Sequence, residues 1–162
     1  MKFTLINFEK DLSEIVQVLN VSHATVAKEF GFTKKNNPSN NAFIDETELR
    51  SQLNEGIELF ALLANRKIIG CIAIEKSSKV TNLFYIEKVS IVPEYRNQGY
   101  GVQLMNFAIS KIKESGGREV SVALIDSNRK LKKWYTEQGF IETVTRDFEH
   151  LPFHVCFMNK QI

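Results

Sequence analysis

Residues 83–125 limit the fold of this 162-residue chain more than any other part of its sequence. A β-branched and aromatic run covers residues 83–92 and ends at Pro93, and an apolar stripe with helical spacing follows over residues 102–112. Residues 120–125 then have the composition of another strand. Two strands of one sheet that are joined through a helix lie parallel, with a right-handed crossover. We therefore predict one parallel strand pair in this stretch.

The remaining pattern predicts antiparallel strands and further helices around this unit. Capping signals occur at Asp11 and Glu14 and again at Asp45 and Glu48, each pair just before an apolar stripe. Strands are predicted at residues 2–8, 57–64, 68–75, 140–145 and 154–160, and helices at residues 12–30, 45–56 and 128–139. The predicted fold class is α/β (α+β), with a mixed, mostly antiparallel sheet of about seven strands and helices on both faces.

Composition and charge exclude several classes of protein. Hydrophobic residues make up 43% of the chain, and its length fits a single domain over residues 1–162. The net charge of +2 is too small to favour a nucleic acid or an anionic membrane as the main partner. Glu9 and Asp11 argue against a signal peptide, so we predict a cytoplasmic protein. Cys71 and Cys156 lie in apolar stretches and are predicted to be buried free thiols.

The turn between the strand at residues 83–92 and the next helix has the composition of an anion site. Gly99 and Gly101 remove side chains where the chain enters the helix, so backbone N–H groups can approach a ligand. The first N–H groups of a helix lack internal partners, and a pyrophosphate suits them. A tight turn with no ligand would use the same glycines. The third glycine of a dinucleotide fingerprint and the Gly-Lys-Ser/Thr of a P-loop do not occur here.

This turn and a second motif resemble the GNAT superfamily of N-acetyltransferases. Arg96-Asn97-Gln98-Gly99-Tyr100-Gly101 matches the acetyl-CoA motif Gln/Arg-x-x-Gly-x-Gly/Ala, and the similarity extends upstream to Val89. Residues 128–140 resemble the signature Asn-x2-Ala-x3-Tyr-x3-Gly-Phe, with Leu131 in place of the usual alanine. The predicted element order is also that of the superfamily, although residues 1–80 match in pattern only.

The resemblance implies how acetyl-CoA, the expected co-substrate, would be held. Backbone amides from Gln98 to Val102 would bind its pyrophosphate, and the strand end at residues 89–91 would bind its pantetheine chain. That strand would splay from its parallel neighbour at residues 120–125, so that the thioester enters the gap. Asn128 would contact the pantetheine arm, or would only cap its helix. The implied cofactor-binding set is Val89, Ser90, Ile91, Arg96, Asn97, Gln98, Gly99, Tyr100, Gly101, Val102, Asn128, Lys130 and Tyr135.

Tyr135 is the residue that the resemblance implies as the general acid. It lies seven positions after Asn128, on the same face of the predicted helix, and would protonate the departing thiolate. The alternative is a core tyrosine beside Trp134, which is itself predicted to be a core residue.

Glu87 is the predicted general base. An amine must lose a proton before it can attack, because its ammonium form has no free electron pair. Glu87, Val89 and Ile91 are predicted to alternate onto one face of the strand that leads to the turn. The alternative for Glu87 is a structural or solvated carboxylate. His23 is a second candidate on the substrate side, or a packed histidine.

These observations predict an acetyl-CoA-dependent N-acetyltransferase that acts on a primary amine of a small molecule by direct attack in a ternary complex. No metal is predicted, because His150, His154 and Cys156 do not complete a ligand set. The alternatives are a non-catalytic acyl-CoA-binding or regulatory module, and a protein N-terminal or lysine acetyltransferase. Residues 24–43 and 146–153 would select the acceptor but carry no signature. A homodimer is compatible with the sequence.

Overall fold

The computed structural model describes residues 2–5 and 11–162, and the predicted order of elements is confirmed within them. The first predicted strand is present over Lys2–Leu5, while the rest of that prediction, residues 6–8, lies outside the described residues, as does Glu9. The elements are β1 (Lys2–Leu5), α1 (Leu12–Glu29), α2 (Glu46–Asn54), β2 (Glu58–Ala64), β3 (Lys67–Lys76), β4 (Leu83–Ile91), α3 (Tyr100–Glu114), β5 (Glu119–Ile125), α4 (Arg129–Glu137), β6 (Ile141–Arg146) and β7 (Val155–Gln161).

The strands form one seven-stranded sheet in the order β1-β2-β3-β4-β5-β7-β6. Among the strands of the described residues, β4 and β5 alone pair in parallel, and every other neighbouring pair in that order is antiparallel. Helices cover both faces of the sheet: α1 buries Ile15 and Leu19 completely, and α3 does the same with Leu104. The predicted fold class is therefore confirmed.

The helix starts follow the sequence with one exception. The Asp45 carboxylate accepts a hydrogen bond from the Glu48 N–H at 2.9 Å and begins α2, as predicted. Asp11 is the N-cap residue of α1, but its side chain makes no capping hydrogen bond. Glu14 instead accepts a hydrogen bond from the Ile68 N–H at 3.1 Å. The capping box predicted for α1 is therefore wrong, because Glu14 is used to tie α1 to β3.

A β-bulge interrupts β4 beside the turn. Glu87 pairs with Ala73 and Ser90 with Cys71, so two residues of β4 stand opposite one residue of β3. Lys88, in the bulge, has a φ of +51°, which is unusual for a residue with a side chain. Because Ala73 and Cys71 point to one face of the sheet, Glu87 and Ser90 do so too. The predicted alternation of Glu87, Val89 and Ile91 onto one face is wrong for this reason.

The two parallel strands separate along their length. Pairing of β4 with β5 begins at Leu83 and ends where Tyr85 meets Ser121. On its other side β5 stays paired with β7 as far as Ile125. From residue 86 to residue 91 the edge of β4 that faces β5 therefore has no strand partner, and its backbone groups are available to a ligand. The splay that the family resemblance implied is present.

Both cysteines are buried free thiols, as predicted. Among the residues that the structure describes, no helix is both long enough and apolar enough to cross a membrane.

Candidate active site

A cleft of about 1120 Å³ opens where β4 and β5 separate. It is bounded by α1 and the loop that follows, by the ends of β4 and β5, and by the first turns of α3 and α4. Eleven of the predicted site residues line it: Glu87, Val89, Ser90, Ile91, Arg96, Asn97, Gly99, Gly101, Val102, Asn128 and Lys130. The side chains of Gln98, Tyr100 and Tyr135 are not part of this lining.

The turn into α3 presents a row of unpaired backbone donors. The N–H groups of residues 97–102 have no hydrogen-bond acceptor within the described part of the chain. The next N–H, that of Gln103, binds the Gly99 carbonyl at 3.1 Å. Asn97 and Gly99 adopt the left-handed conformation, with φ of +58° and +81°. Consecutive amides at a helix N-terminus form an anion site, so this turn suits a pyrophosphate.

Gly101 lets α4 come close to the start of α3. A Cβ atom at this position would lie 3.2 Å from Cζ2 of Trp134, closer than an ordinary contact. Trp134, predicted to be a core residue, packs against the core but also lines the cleft beside the turn. A glycine at this position therefore avoids a close contact with the side chain of Trp134, which lies 33 residues further along the chain.

Asn128 caps α4 and also faces the cleft. Its Oδ1 accepts a hydrogen bond from the Leu131 N–H at 3.1 Å, while its Nδ2 has no acceptor among the described residues. The side chain can thus cap the helix and donate a hydrogen bond to a ligand at the same time. Lys130 is exposed and also lines the cleft, so it adds a positive charge to the cavity that the turn into α3 lines.

The side chain of Arg96 connects α1 to the end of β4. Its Nε donates to the Ile91 carbonyl at 3.0 Å, and its other nitrogens donate to the Ser22 carbonyl at 2.6 Å and to Thr25 Oγ1 at 3.0 Å. These bonds fix the C-terminal half of α1 against the end of β4. We therefore assign Arg96 a positioning role. Because Arg96 also lines the cleft, its contact with the cofactor stays a prediction.

Glu87, the predicted general base, is half-buried on the cleft lining. Burial raises the pKa of its carboxyl group, the nearby Lys88 ammonium lowers it, and Glu75 on β3 raises it again. The bulge places Glu87 on the same face as Ser90 and on the same side of the sheet as His23, which contacts Ser90.

Lys88 does not line the cleft but holds Asn41, which does, and the sequence did not indicate this role. It is 8% exposed, and its Nζ donates to Asn41 Oδ1 at 3.0 Å. The Asn41 carbonyl in turn accepts from Asn20 Nδ2 at 3.0 Å, so the loop between α1 and α2 is held from both sides. Burial lowers the pKa of Lys88, and the charges of Glu87 and Glu48 and the Cys71 thiol act in the opposite direction. No spacing rule predicts this contact, since 47 positions separate the partners.

His23 lines the cleft and contacts β4. Its Nε2 lies 3.0 Å from Ser90 Oγ, and Ser90 is 2% exposed. Burial, together with the positive charges of Lys88 and Arg96, lowers the pKa of His23 to about 4. The imidazole is therefore neutral at physiological pH.

Tyr135 lies in the core, and its ring meets that of Trp134 edge-to-face. It is 5% exposed, and its ring packs edge-to-face against Phe140 with centroids 5.4 Å apart. Its hydroxyl forms no hydrogen bond with a described residue, and burial raises its pKa, so the phenol stays protonated. The structure thus places Tyr135 beside the cleft lining and not on it.

A group of possible metal ligands lies apart from the cleft. Ligand atoms of Asp126, Glu142 and Cys156 are within 4.8 Å of one another. The Lys132 ammonium contacts Asp126 at 2.6 Å and Glu142 at 2.9 Å, so the cluster already holds a cation of the chain itself. His154, one of the residues considered from the sequence, contacts Asp147.

The cleft as a whole fits coenzyme A. The amides of residues 97–102 and Lys130 suit its phosphates, and the unpaired edge of β4 with Asn128 suits an extended amide chain such as pantetheine. When bound, acetyl-CoA supplies an acetyl group that is activated as a thioester.

A mixed sheet with one splayed parallel pair and an anion-binding turn at the splay is the arrangement of an acyl-CoA-dependent acyltransferase. The sequence profile described as "Acetyltransferase (GNAT) domain" matches residues 22–161, and the chain therefore belongs to the GNAT acetyltransferase family. It is an acetyl-CoA-dependent N-acetyltransferase. No curated protein matches the chain in sequence.

Solved structures share the fold at low sequence identity. The PaiA N-acetyltransferase from Thermoplasma acidophilum, in complex with coenzyme A, is 19% identical with a TM-score of 0.78, over 99% of this chain and 98% of that one. A ribosomal-protein-alanine N-acetyltransferase from Brucella melitensis is 15% identical with a TM-score of 0.73, over 100% of both chains. A GNAT-family acetyltransferase from Staphylococcus aureus is 19% identical with a TM-score of 0.72, over 99% of this chain and 98% of that one.

Proposed function

We propose that this protein transfers the acetyl group of acetyl-CoA to a primary amine of a small molecule, by direct attack in a ternary complex. One cleft carries this proposal, because two kinds of group line it. The first is the amide cradle, the unpaired N–H groups of residues 97–102, and the second is the proton-accepting side chains Glu87 and His23. The chain would act as one domain over residues 1–162. The similar Thermoplasma acidophilum structure contains coenzyme A, which supports the same ligand here.

Backbone groups would make most of the contacts with acetyl-CoA. The amides of residues 97–102 would bind the pyrophosphate, and the β4 edge at residues 89–91 would bind the pantetheine chain and place a backbone N–H at the acetyl oxygen. Loss of such an oxyanion donor costs about 3–4 kcal/mol of transition-state stabilisation. Asn128 Nδ2 and Lys130 would add side-chain contacts. None of these proposed contacts with acetyl-CoA requires a metal ion.

Direct attack is favoured over a covalent acetyl-enzyme by the state of the two thiols. Cys71 is fully buried, and burial raises its pKa to about 12. Cys156 is also fully buried with a raised pKa, and neither cysteine lines the cleft. A thiol that stays protonated and buried is a poor nucleophile.

Glu87 would accept the proton that the ammonium form of the substrate must lose. Its position on the cleft lining and its raised pKa both suit this role. Tyr135 would protonate the departing thiolate, because burial keeps its phenol protonated. This second role rests on the family resemblance, since Tyr135 lies beside the lining.

The acceptor end carries carboxylates and amides. Glu29 of α1, Glu87, and the loop residues Asn37, Asn40 and Asn41 line it, and we infer a polar amine as the substrate. The likeness to a ribosomal-protein-alanine N-acetyltransferase favours a protein N-terminus as the second candidate.

The deciding experiment has two parts. Calorimetry with acetyl-CoA and with CoA, repeated in a chelator, is expected to give the same affinity in both conditions. Thiol release from acetyl-CoA is then measured with polyamines, amino acids, aminoglycosides and peptides with free N-termini. Release with a small amine supports the proposal, and release with peptides alone supports the second candidate. Tight binding without release under any condition would instead indicate a non-catalytic acyl-CoA-binding module.

A further inference from the structure

One asparagine of the loop between α1 and α2 differs from its neighbours in its contacts. Asn36, Asn40 and Asn41 each accept a hydrogen bond through Oδ1, at 2.8, 2.9 and 3.0 Å, and so hold the loop in its conformation. Asn37 is the most deeply buried of the four, with 2% of its surface exposed. Its side chain nevertheless forms no hydrogen bond with a described residue.

The side-chain amide of Asn37 faces the cleft. Among the described residues, the buried polar side-chain atoms that are fully enclosed without a partner are Ser22 Oγ and Gln52 Oε1. The amide atoms of Asn37 are not among them, and Asn37 lines the cleft. Its backbone is held on both sides, because its N–H donates to the Thr33 carbonyl at 2.9 Å and its carbonyl accepts from the Asn40 N–H at 3.2 Å. Buried amides usually have a hydrogen-bond partner, so an unpaired one on a cleft wall points to a ligand.

The chemistry of an amide defines the group that would pair with Asn37. Oδ1 accepts hydrogen bonds, and Nδ2 beside it donates them. A carboxylate pairs with Nδ2 alone, and an ammonium group pairs with Oδ1 alone. A neutral group that presents an N–H and a C=O side by side pairs with both atoms. A primary carboxamide has this form, and so do the backbone N–H and C=O of one extended peptide residue.

We propose that Asn37 is a specificity-determining residue, which selects acceptor amines that also carry a neutral amide group. This proposal rests on the proposed function, because it takes the loop between α1 and α2 as the acceptor side of the cleft. Asn37 would hold the amide of the acceptor while its amine attacks the thioester. A site that hydrogen-bonds a polar group of its substrate discriminates against the analogue without that group, because the polar atoms of the site then stay unpaired.

The test measures a change of preference between two acceptors of similar shape. Glycinamide ends in an amide, and 2-methylpropylamine ends in a branched alkyl group of about the same size. Asn37→Leu replaces the amide of the protein by a similar alkyl group. We expect the ratio of the two kcat/KM values, glycinamide over 2-methylpropylamine, to fall about tenfold or more from the wild type to this variant. The different basicity of the two amines cancels in this comparison. β-Alaninamide and 3-methylbutylamine repeat the measurement with a longer spacer.

A second variant and a control separate specificity from folding. Asn37→Asp keeps the shape of the side chain but removes the Nδ2 donor, so the same ratio should fall. Asn106→Asp makes the same change at an exposed residue of α3 that does not line the cleft, and should keep the wild-type ratio. The Kd of acetyl-CoA and the Tm should be the same in the wild type and in Asn37→Asp.

Triglycine identifies the source of the amide. Thiol release with amino amides but not with triglycine would indicate a small molecule, and release with triglycine would indicate a peptide; either result supports the proposal. An unchanged ratio for both pairs of acceptors in the Asn37 variants would overturn it and leave the proposed function intact. A weaker Kd of acetyl-CoA with an unchanged ratio would assign Asn37 to the cofactor and would also overturn it, as would release with other amines but with none that carries an amide. If the wild type releases no thiol with any amine, the proposed function fails and this selectivity fails with it.

Discussion

The rings of Trp134 and Tyr135 meet edge-to-face with centroids 4.9 Å apart, yet only Trp134 lines the cleft. Trp134 occupies the space beside Gly101, while Tyr135 packs inward against Phe140. Tyr135 itself does not line the cleft, so the role of its hydroxyl can be tested without changing a lining residue.

Tyr135→Phe is expected to lower kcat while the Kd of acetyl-CoA stays unchanged, because the proton is needed only as the thiolate leaves. The free energy of unfolding should hardly change, since the hydroxyl has no hydrogen bond to a described residue to lose. Steady-state kinetics, calorimetry and urea denaturation provide the three measurements. Tyr85→Phe, at a half-buried tyrosine outside the cleft lining and the predicted site, is the control. An unchanged kcat in Tyr135→Phe would remove Tyr135 from the mechanism.

Gly99→Ala should weaken CoA binding beyond its effect on folding. Gly99 and Gly116 have φ of +81° and +80°, and an added Cβ at either position would meet nothing within 4 Å. Both substitutions should therefore cost the same conformational strain, about 1–2 kcal/mol of unfolding free energy. Only Gly99 belongs to the amide cradle, so only Gly99→Ala should raise the Kd of CoA in calorimetry. Equal Kd values in the two variants would show that the pyrophosphate binds elsewhere.

Glu87→Gln should lower kcat/KM for the amine by about 10²–10⁴-fold. A base must be deprotonated to act, so wild-type activity should fall as the pH drops through the Glu87 pKa, which burial raises above the ordinary value of 4.5. Glu75 also raises this pKa, and Glu75→Gln should therefore move the acid limb of the pH–rate profile to lower pH. A profile that keeps the same limb in Glu87→Gln would assign that limb to another group.

Lys88→Met should affect the acceptor amine more than acetyl-CoA. A hydrogen bond from a charged group contributes about 1.5–3 kcal/mol, so loss of the Lys88–Asn41 bond should raise the KM of the amine about tenfold or more. The KM of acetyl-CoA should stay the same, because the amide cradle is not touched. Lys133→Met removes an exposed lysine whose Nζ is 3.9 Å from Glu137, and serves as the control. Equal changes in both KM values would mean that Lys88 supports the whole fold instead of the acceptor loop.

Local patterns in the sequence were sufficient to predict most of the fold. Apolar periodicity and turn residues located the elements within a few positions, and the Asp45 cap and the stop at Gly56 are present as predicted. The two glycines predicted the turn of free amides, because a helix N-terminus leaves its first N–H groups unpaired in any fold.

Contacts between distant segments decided the side chains of the site. After the bulge at Lys88, each residue of β4 points to the face opposite to the one that simple alternation predicts. No residue type in β4 predicts this bulge. The Arg96 guanidinium donates hydrogen bonds to the Ser22 carbonyl and to Thr25 Oγ1. His23 forms a hydrogen bond with Ser90, which lies 67 positions away in the sequence. The sequence alone thus determined the element order, the turn of free amides and the family, since these depend on neighbours along the chain. Only the tertiary structure decided which side chains reach the cleft, because burial and charge depend on packing between elements far apart in the chain.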